Sequence, residues 1–300
     1  MKIAVLGTIV EDRIISIDGQ ITESFGGLFY SVETLRALCG EEDTIIPISY
    51  VGNDIYERVK TWFAGDKRVT LEGLYPIARP NNRVELRYTS AHERTEFSLN
   101  PFPPLSGQHI MPFAEADVFV VNFISGWDVE HKALQSFAQN YHGILSMDIH
   151  SLTLGREPDG RRVLRKPEGL HEWLQIPDII QCNRKEFELI CSGELITFYN
   201  KYCFDQNKII NLTLGDKGSL SVYREKNEIV KIEMPAAETK VVDPTGCGDV
   251  FLAAFAYEYG KTQNIINAAK KANLVAGIAG SKKGLPEYRW LQQMLEKSKE

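Results

Sequence analysis

"VVDPTGCGDVF", residues 241–251, decides how this chain is read. A β-branched pair passes through a proline and two glycines into "VFLAAFAYEY" (250–259), an apolar stretch of helical character. Gly246 and Gly248 lack a Cβ, so the backbone there can bend sharply and approach a ligand closely. A helix starting after Gly246 offers unpaired N–H groups and the positive end of its dipole, a ready anion hole. Asp249 would lie in the first turn, where the dipole predicts a lowered pKa and an ionised carboxylate. Against a bound phosphoryl group, that carboxylate is placed to take a proton from an attacking hydroxyl. Phosphoryl transfer needs little beyond positioning, charge stabilisation and such a base. The same residues also read as a plain helix start capped by an acid, and the stretch alone leaves both readings open.

Composition narrows the function class. The chain has 300 residues, 43% hydrophobic and 25% charged, enough for one large α/β domain or two small ones with a sizeable core. A phosphate-backbone binder would normally show a basic face, so with a net charge of −6 and a pI near 5.7 nucleic acid is not an expected partner. No apolar run is long enough to span a bilayer, and "MKIAVLGTIVEDRI" lacks a signal peptide's apolar core and cleavage site. A soluble, cytoplasmic protein with no membrane partner is expected. The five cysteines are scattered without a CxxC pair, and HExxH is absent. A disulfide framework or a His/Cys metal centre is therefore not expected.

Outward from the opening stretch, strand and helix patterns alternate. "KIAVLG" (2–7), "TIIPISYVG" (44–52), "ADVFVVNFI" (116–124), "GILSMDI" (143–149), "PDIIQCN" (177–183) and "KIINLTLG" (208–215) read as buried strands. "SVETLRALC" (31–39), "DIYERVKTWFAG" (54–65), "EHKALQSFAQNY" (130–141), "RKEFELICS" (184–192) and residues 264–284 read as helices. "GSLSVYREKNEIVKIEMP" (218–235) reads as a hairpin-like pair. This order predicts an α/β fold, a mainly parallel central sheet with helices on both faces. Two polar-faced hairpins, 13–24 around Asp18-Gly19 and 82–99, do not fit such a sheet and are expected to project as a small β-hairpin lid. We expect a single domain over 1–300 with lid insertions at about 12–25 and 82–100.

Two common phosphate devices are missing. The first strand ends in "GTIVED" rather than GxGxxG, and no GxxxxGK[ST] occurs. "DPTGCGDVF" instead resembles the DTxGAGDxF signature of the ribokinase-like carbohydrate kinases of phosphofructokinase B type. Further segments resemble that family in the right order: "VLGTIVED", "GGLFYSVETLRALCG", "SYVGND", "HERTEF", "NRKEFELI" and "NLTLGDKGSL". They cover nearly the whole chain.

The resemblance implies a ribokinase-like fold and an ATP-dependent kinase that phosphorylates a hydroxyl of a sugar, nucleoside or related polyol. Asp249 would be its general base, and the backbone N–H groups of Gly246, Cys247 and Gly248 would stabilise the phosphoryl in transfer. Asp12, Gly26, Gly27, Tyr30, Ser31, Arg94 and His150 would meet the substrate. Asn183 and Glu186 would organise Mg²⁺, largely through water, with Glu186 as the metal residue. Thr213, Gly215 and Gly218 would contact nucleotide phosphates and ribose, and Asn273 would lie near the adenine edge. A potassium requirement and a homodimer formed through the lid are features of some members. Read without the family, Asp12 is also a solvated turn residue and Asn183–Glu186 a helix-capping pair.

The chain departs from the family pattern on its sugar side. Ser31 stands where GGxxxN has Asn, with Phe29 and Tyr30 before it. "DIHSL" (148–152) keeps Asp148 of the DPNxR-type stretch but brings in His150 and Leu152. Phe29 and Tyr30 would then offer stacking surface to a ring-containing acceptor. Pro244 and Cys247 replace the usual Thr and Ala of the signature, and a hole built of backbone N–H groups tolerates the Cys247 side chain. The alternative is a catalytically inactive relative that binds a metabolite as a sensor. Retention of Asp249 behind its glycines favours the enzyme.

Overall fold

Strict alternation along the first strand sets the architecture. In β1 (Lys2–Leu6), Ile3 and Val5 point into one apolar core while Ala4 and Leu6 point into a second on the opposite face. Burial on both faces is the condition for a parallel sheet covered by helices. The computed structural model describes residues 1–89, 94–203 and 207–298, and of Arg94 the backbone alone.

After β1 the chain makes a hairpin, β2 (Ile9–Ile15) and β3 (Ile21–Gly27), then returns through β4 (Thr44–Gly52) and β5 (Leu74–Ile77). A second hairpin, β6 (Arg83–Tyr88) and β7 (Arg94–Leu99), precedes β8 (Val118–Asn122) and β9 (Ile144–Asp148). A short pair, β10 (Leu154–Arg156) and β11 (Arg162–Leu164), comes next. The chain then runs through β12 (Ile179–Asn183), β13 (Ile209–Thr213), β14 (Ser219–Glu225) and β15 (Glu228–Met234). The central sheet has the order β15-β14-β13-β12-β9-β8-β1-β4-β5. Its strands from β13 to β5 pair in parallel, and β14 and β15 close one edge antiparallel.

The expected α/β sheet with helices on both faces is what the structure has. One core packs helices Leu28–Leu38, Cys247–Thr262 and Ile265–Gly280 on the sheet, and the other packs His131–Asn140, Arg184–Ile190 and Leu195–Tyr202. No helix among the described residues is long and apolar enough to cross a membrane.

The two hairpins join into one four-stranded sheet, β3-β2-β6-β7, because β2 pairs in parallel with β6. Its alternation is two-sided. Glu11, Arg13, Arg83 and Glu85 form ion pairs among themselves and with Arg58 and Arg87, whereas Val10, Asp12, Val84, Leu86 and Glu96 line a cavity against the main sheet. This second sheet covers the cavity at the position expected of the lid.

Helix Leu28–Leu38 packs beside helix Cys247–Thr262 on the same face of the central sheet, and every residue up to Ala37 is buried. Its charges are paired. Arg36 bonds Glu33 and Asp66, and Glu33 also accepts from the Trp62 indole and the Tyr288 N–H, which docks the C-terminal helix. Phe29 does not face a substrate. It is fully buried, stacked between Phe25 at 4.4 Å and Phe63 at 5.2 Å with Trp62 edge-on, because residue 29 falls on the core side of this helix. Replacing Phe29 with Ala should therefore cost about 3–5 kcal/mol, measured by urea unfolding, through the cavity it leaves in the aromatic stack.

Candidate active site

The polar residues of the two cores collect where the parallel strands end. Asn122, Asp148 and Asn183 close β8, β9 and β12, Thr213 closes β13, and the start of helix Cys247–Thr262 lies against them. Ligand sites of open parallel sheets sit at this edge, where chain-end amides and helix N-termini converge.

The glycines of residues 243–251 have different duties. Gly246 caps the helix at φ 75°, and a Cβ there would lie 2.2 Å from the Tyr30 ring, so the fold itself demands glycine. Gly248 is exposed, and a Cβ there would meet nothing closer than Gln181 Nε2 at 3.9 Å. The bare backbone at Gly248 leaves room for something other than this chain. The N–H groups of Gly248 and Asp249 belong to the first helical turn and precede the first intrahelical bond, from Val250 N–H to the Gly246 carbonyl. The expected contribution of Cys247 needs correction, because its N–H already donates to the Pro244 carbonyl at 3.2 Å. Its thiol is pushed up to about 11 by burial and by Asp243 and Asp249, so it stays protonated near neutrality. Asp243 pins the loop by accepting from the Thr245 and Gly284 N–H groups.

Asp249 is half-buried and held from two directions. Asn122 Nδ2 donates to its Oδ1 at 2.9 Å and to Ser31 Oγ at 3.0 Å, and Ser31 Oγ donates to the Asp249 carbonyl at 3.3 Å. Ser31 thus does not reach a substrate; it is fully buried behind the base. The lowered pKa expected from the helix dipole is also overturned. Burial pushes the Asp249 carboxyl up to about 6, against the Asn122 hydrogen bond and the His150 charge, which pull it down.

A second acidic cluster faces the same space. Asn183 and Glu186 form a reciprocal capping box: Glu186 N–H donates to Asn183 Oδ1 at 3.0 Å and Asn183 N–H to Glu186 Oε2 at 2.8 Å. Asn183 Nδ2 and His150 Nδ1 both bond Glu186 Oε1. Burial disfavours a charge on His150, but the Glu186 hydrogen bond and the charges of Glu186, Asp148 and Asp249 outweigh it and push the imidazole up to about 9. Asp148 accepts from the His150 N–H at 2.6 Å and from Gln181 Nε2 at 2.5 Å; burial and the Glu186 charge hold its carboxyl well above the ordinary range. Gln181 Nε2 also donates to the Gly248 carbonyl at 2.9 Å, which ties this cluster to the glycine turn.

Two cavities meet at that turn. One, of about 250 Å³, lies under the lid and is lined by Asp12, Gly27, Tyr30, Glu96, His150 and Asp249 among others. The other, of about 560 Å³, is lined by Gly215, Gly218, Asn273, Cys247 and a mainly small or apolar set including Ala237, Phe251 and Ala276. Asn183, Thr213, Pro244 and Gly248 line both. Gly26 is not among the lining residues. A Cβ on it would strike the Asp12 carboxylate at 1.8 Å, so its bare backbone makes room for Asp12 instead. Gly218 is required by the fold, since at φ 88° a Cβ would lie 2.0 Å from the Met234 carbonyl. Asn273 lines the larger cavity, but its Nδ2 is taken by Ser219 Oγ and the Ala269 carbonyl, leaving Oδ1. Arg94 stands at the start of β7, and its side chain and the preceding part of "HERTEF" lie outside the described residues.

Sequence reasoning missed Asn122, Gln181 and Glu96 as site residues. The available signal was a polar residue at or near the carboxyl end of an apolar strand, as in "VFVVN" and "DIIQCN".

Comparison with known proteins gives this geometry a context. Residues 155–288 match the profile of the pfkB family carbohydrate kinases. A nucleoside kinase of Methanocaldococcus jannaschii is 30% identical over 135 residues, 43% of this chain and 43% of its own length. In these alignments the chain spans less than half the length of the curated relatives it matches. Among solved structures, a pyrophosphate-dependent kinase in the ribokinase family superposes with a TM-score of 0.81 at 19% identity, covering 97% of this chain and 99% of the other. A ribokinase from Thermotoga maritima superposes with a TM-score of 0.76 at 21% identity, covering 98% and 99%. At such identities the likeness concerns the fold.

The unequal glycines make a direct prediction. Gly248→Ala should leave thermal unfolding within about 1 kcal/mol of wild type, or raise it, because the φ there suits any residue. It should weaken titration by sulfate or ATP at the turn. Gly246→Ala should instead lower stability by about 1–3 kcal/mol, from positive φ and the Tyr30 contact.

Proposed function

We propose that this chain, whose residues 155–288 match the pfkB carbohydrate kinase profile and whose fold superposes on that of a ribokinase, is an ATP-dependent phosphotransferase. It moves the terminal phosphoryl group to a hydroxyl of a sugar, nucleoside or related polyol, with Asp249 as general base. One observation carries the reading: two cavities of different character share Gly248, with Asp249 beside it and open N–H groups between them.

The acceptor sits in the smaller cavity. Asp12 and Tyr30 line it opposite the base, and the lid closes it with Val84, Leu86 and Glu96. Asp249 Oδ1 is occupied by Asn122, so Oδ2 takes the proton of the attacking hydroxyl. The Gly248 and Asp249 N–H groups, at the positive end of the helix, stabilise the negative charge of the phosphoryl in transfer.

The donor lies in the larger cavity. Its volume of about 560 Å³ and its small, apolar lining favour a nucleotide with a base over a bare pyrophosphate. Thr213, Gly215 and Gly218 would border its phosphates and ribose, and Asn273 Oδ1 its base.

Among the described residues no ready cluster of three metal-ligating side chains exists, and Glu186 is already bonded to Asn183 and His150. The Glu186 carboxylate and the Asn183 amide nevertheless line the smaller cavity, oxygen donors that fit Mg²⁺ held largely through water. When bound, the ion would neutralise phosphate charge; Asn183 and Glu186 would orient its waters. The exposed Ile17 and Ile21 beside the free edge of β3 are the surface through which two copies would pair.

ADP release with a panel of sugars, nucleosides and cyclic polyols tests the proposal. Asp249→Ala should lower kcat on the order of 10²- to 10⁴-fold with any accepted hydroxyl. Replacing ATP by pyrophosphate should abolish turnover, and exchanging potassium for sodium tests the monovalent cation. Tight metabolite binding without turnover would support the sensor reading instead. Because the base must be ionised and its pKa is raised to about 6, kcat/KM should fall as pH drops through about 6.

A further inference from the structure

Asn122 has no role in the resemblance, yet its surroundings are unusual. It ends β8, is wholly buried, and does not line either cavity. One amide nitrogen serves two acceptors, Asp249 Oδ1 and Ser31 Oγ, while its own Oδ1 has no partner among the described residues. Turning the amide over would place a carbonyl oxygen against the carboxylate, so only this orientation suits an ionised Asp249. The direction of the next bond follows. Ser31 Oγ accepts from Asn122 and therefore has its proton available for the Asp249 carbonyl. The base is tied at its side chain by β8 and at its main chain by helix Leu28–Leu38.

We propose that Asn122 and Ser31 are the positioning pair of this site: they fix Asp249 Oδ1 and its backbone, so that Oδ2 alone is presented to the acceptor hydroxyl. The proposal rests on Asp249 being the base. Other groups act on its ionisation, and they must be held constant. These are Asp148 at the end of β9 and His150 just after it, Glu186 of helix Arg184–Ile190, Tyr30 of helix Leu28–Leu38 and Cys247 on its own helix.

The test compares Asn122→Leu, Asn122→Ser and Ser31→Ala with wild type. The titration of Asp249 is followed by carboxyl ¹³C NMR, assigned against Asp249→Asn, alongside kcat and KM for an accepted hydroxyl. Loss of a hydrogen bond to the ionised form should move the Asp249 midpoint upward from about 6 toward about 7 in Asn122→Leu. The acidic limb of kcat should move with it. At neutral pH kcat should fall roughly 10-fold or more, with acceptor KM within about threefold. Asn122→Ser, which keeps a short hydroxyl donor, should lie between Asn122→Leu and wild type. Ser31→Ala should lower kcat by a smaller factor and leave the midpoint nearly in place.

An unmoved midpoint in both Asn122 variants would overturn the proposal, as would a change in KM alone. If Asn122→Leu fails to fold, Asn122→Ser decides. If the wild-type protein phosphorylates nothing, the kinase reading falls, but the NMR midpoint still decides whether Asn122 controls Asp249.

Discussion

The first turn of the helix Cys247–Thr262 carries N–H groups that the chain does not satisfy, and much of the site is arranged around them. Gly246 turns the backbone into that helix, Asp243 pins the approach, and Gly248 keeps the turn bare. Water can pair with such donors in the open, but here they face a space shared by two cavities. An anion is the natural partner for donors at the positive end of a helix. The parallel sheet supplies the other half of the arrangement, since its strands end together and place Asn122, Asp148, Asn183 and Thr213 around the same turn.

Electrostatics sharpen the division of labour. Asp148, Glu186 and Asp249 crowd one cavity, and burial together with mutual repulsion raises Asp148 and Asp249. His150 brings a compensating charge, held by Glu186 and by the Asp148 carboxylate at its backbone N–H. The cluster therefore sets raised carboxyls beside a charged imidazole. The larger cavity has a different lining, and its small side chains leave space rather than charge. Two neighbouring spaces with opposite chemistry suit two substrates that react where they touch.

Legibility in the sequence followed the range of the interactions. Strands such as "KIAVLG" and "ADVFVVNFI" and the helix after Gly246 were readable because local pattern and glycine chemistry determine them. The helix Leu28–Leu38 begins three residues before the read boundary, since Gly27 at φ 59° lets it start there. The parallel pairing of β2 with β6 was not readable, because it joins segments about seventy residues apart whose outer faces are both polar. Phe29 and Ser31 were placed against substrate by analogy, while the structure puts one in an aromatic stack and the other behind the base. Asn122 was invisible for a similar reason. A single amide at the end of an apolar strand acquires meaning only from a carboxylate 127 positions away. The lowered pKa expected for Asp249 failed because a helix dipole was weighed without the burial that only the folded chain provides.

In the proposed reaction, donor and acceptor meet directly at the Gly248–Asp249 turn, with no relay through the protein. Turnover of ATP made chiral at its terminal phosphorus with oxygen isotopes and sulfur, read as the configuration of the phosphorylated product, distinguishes direct transfer from a relay. A single in-line transfer between the two cavities predicts inversion at phosphorus. Retention would mean that the phosphoryl group rests first on a protein side chain, and would contradict the account.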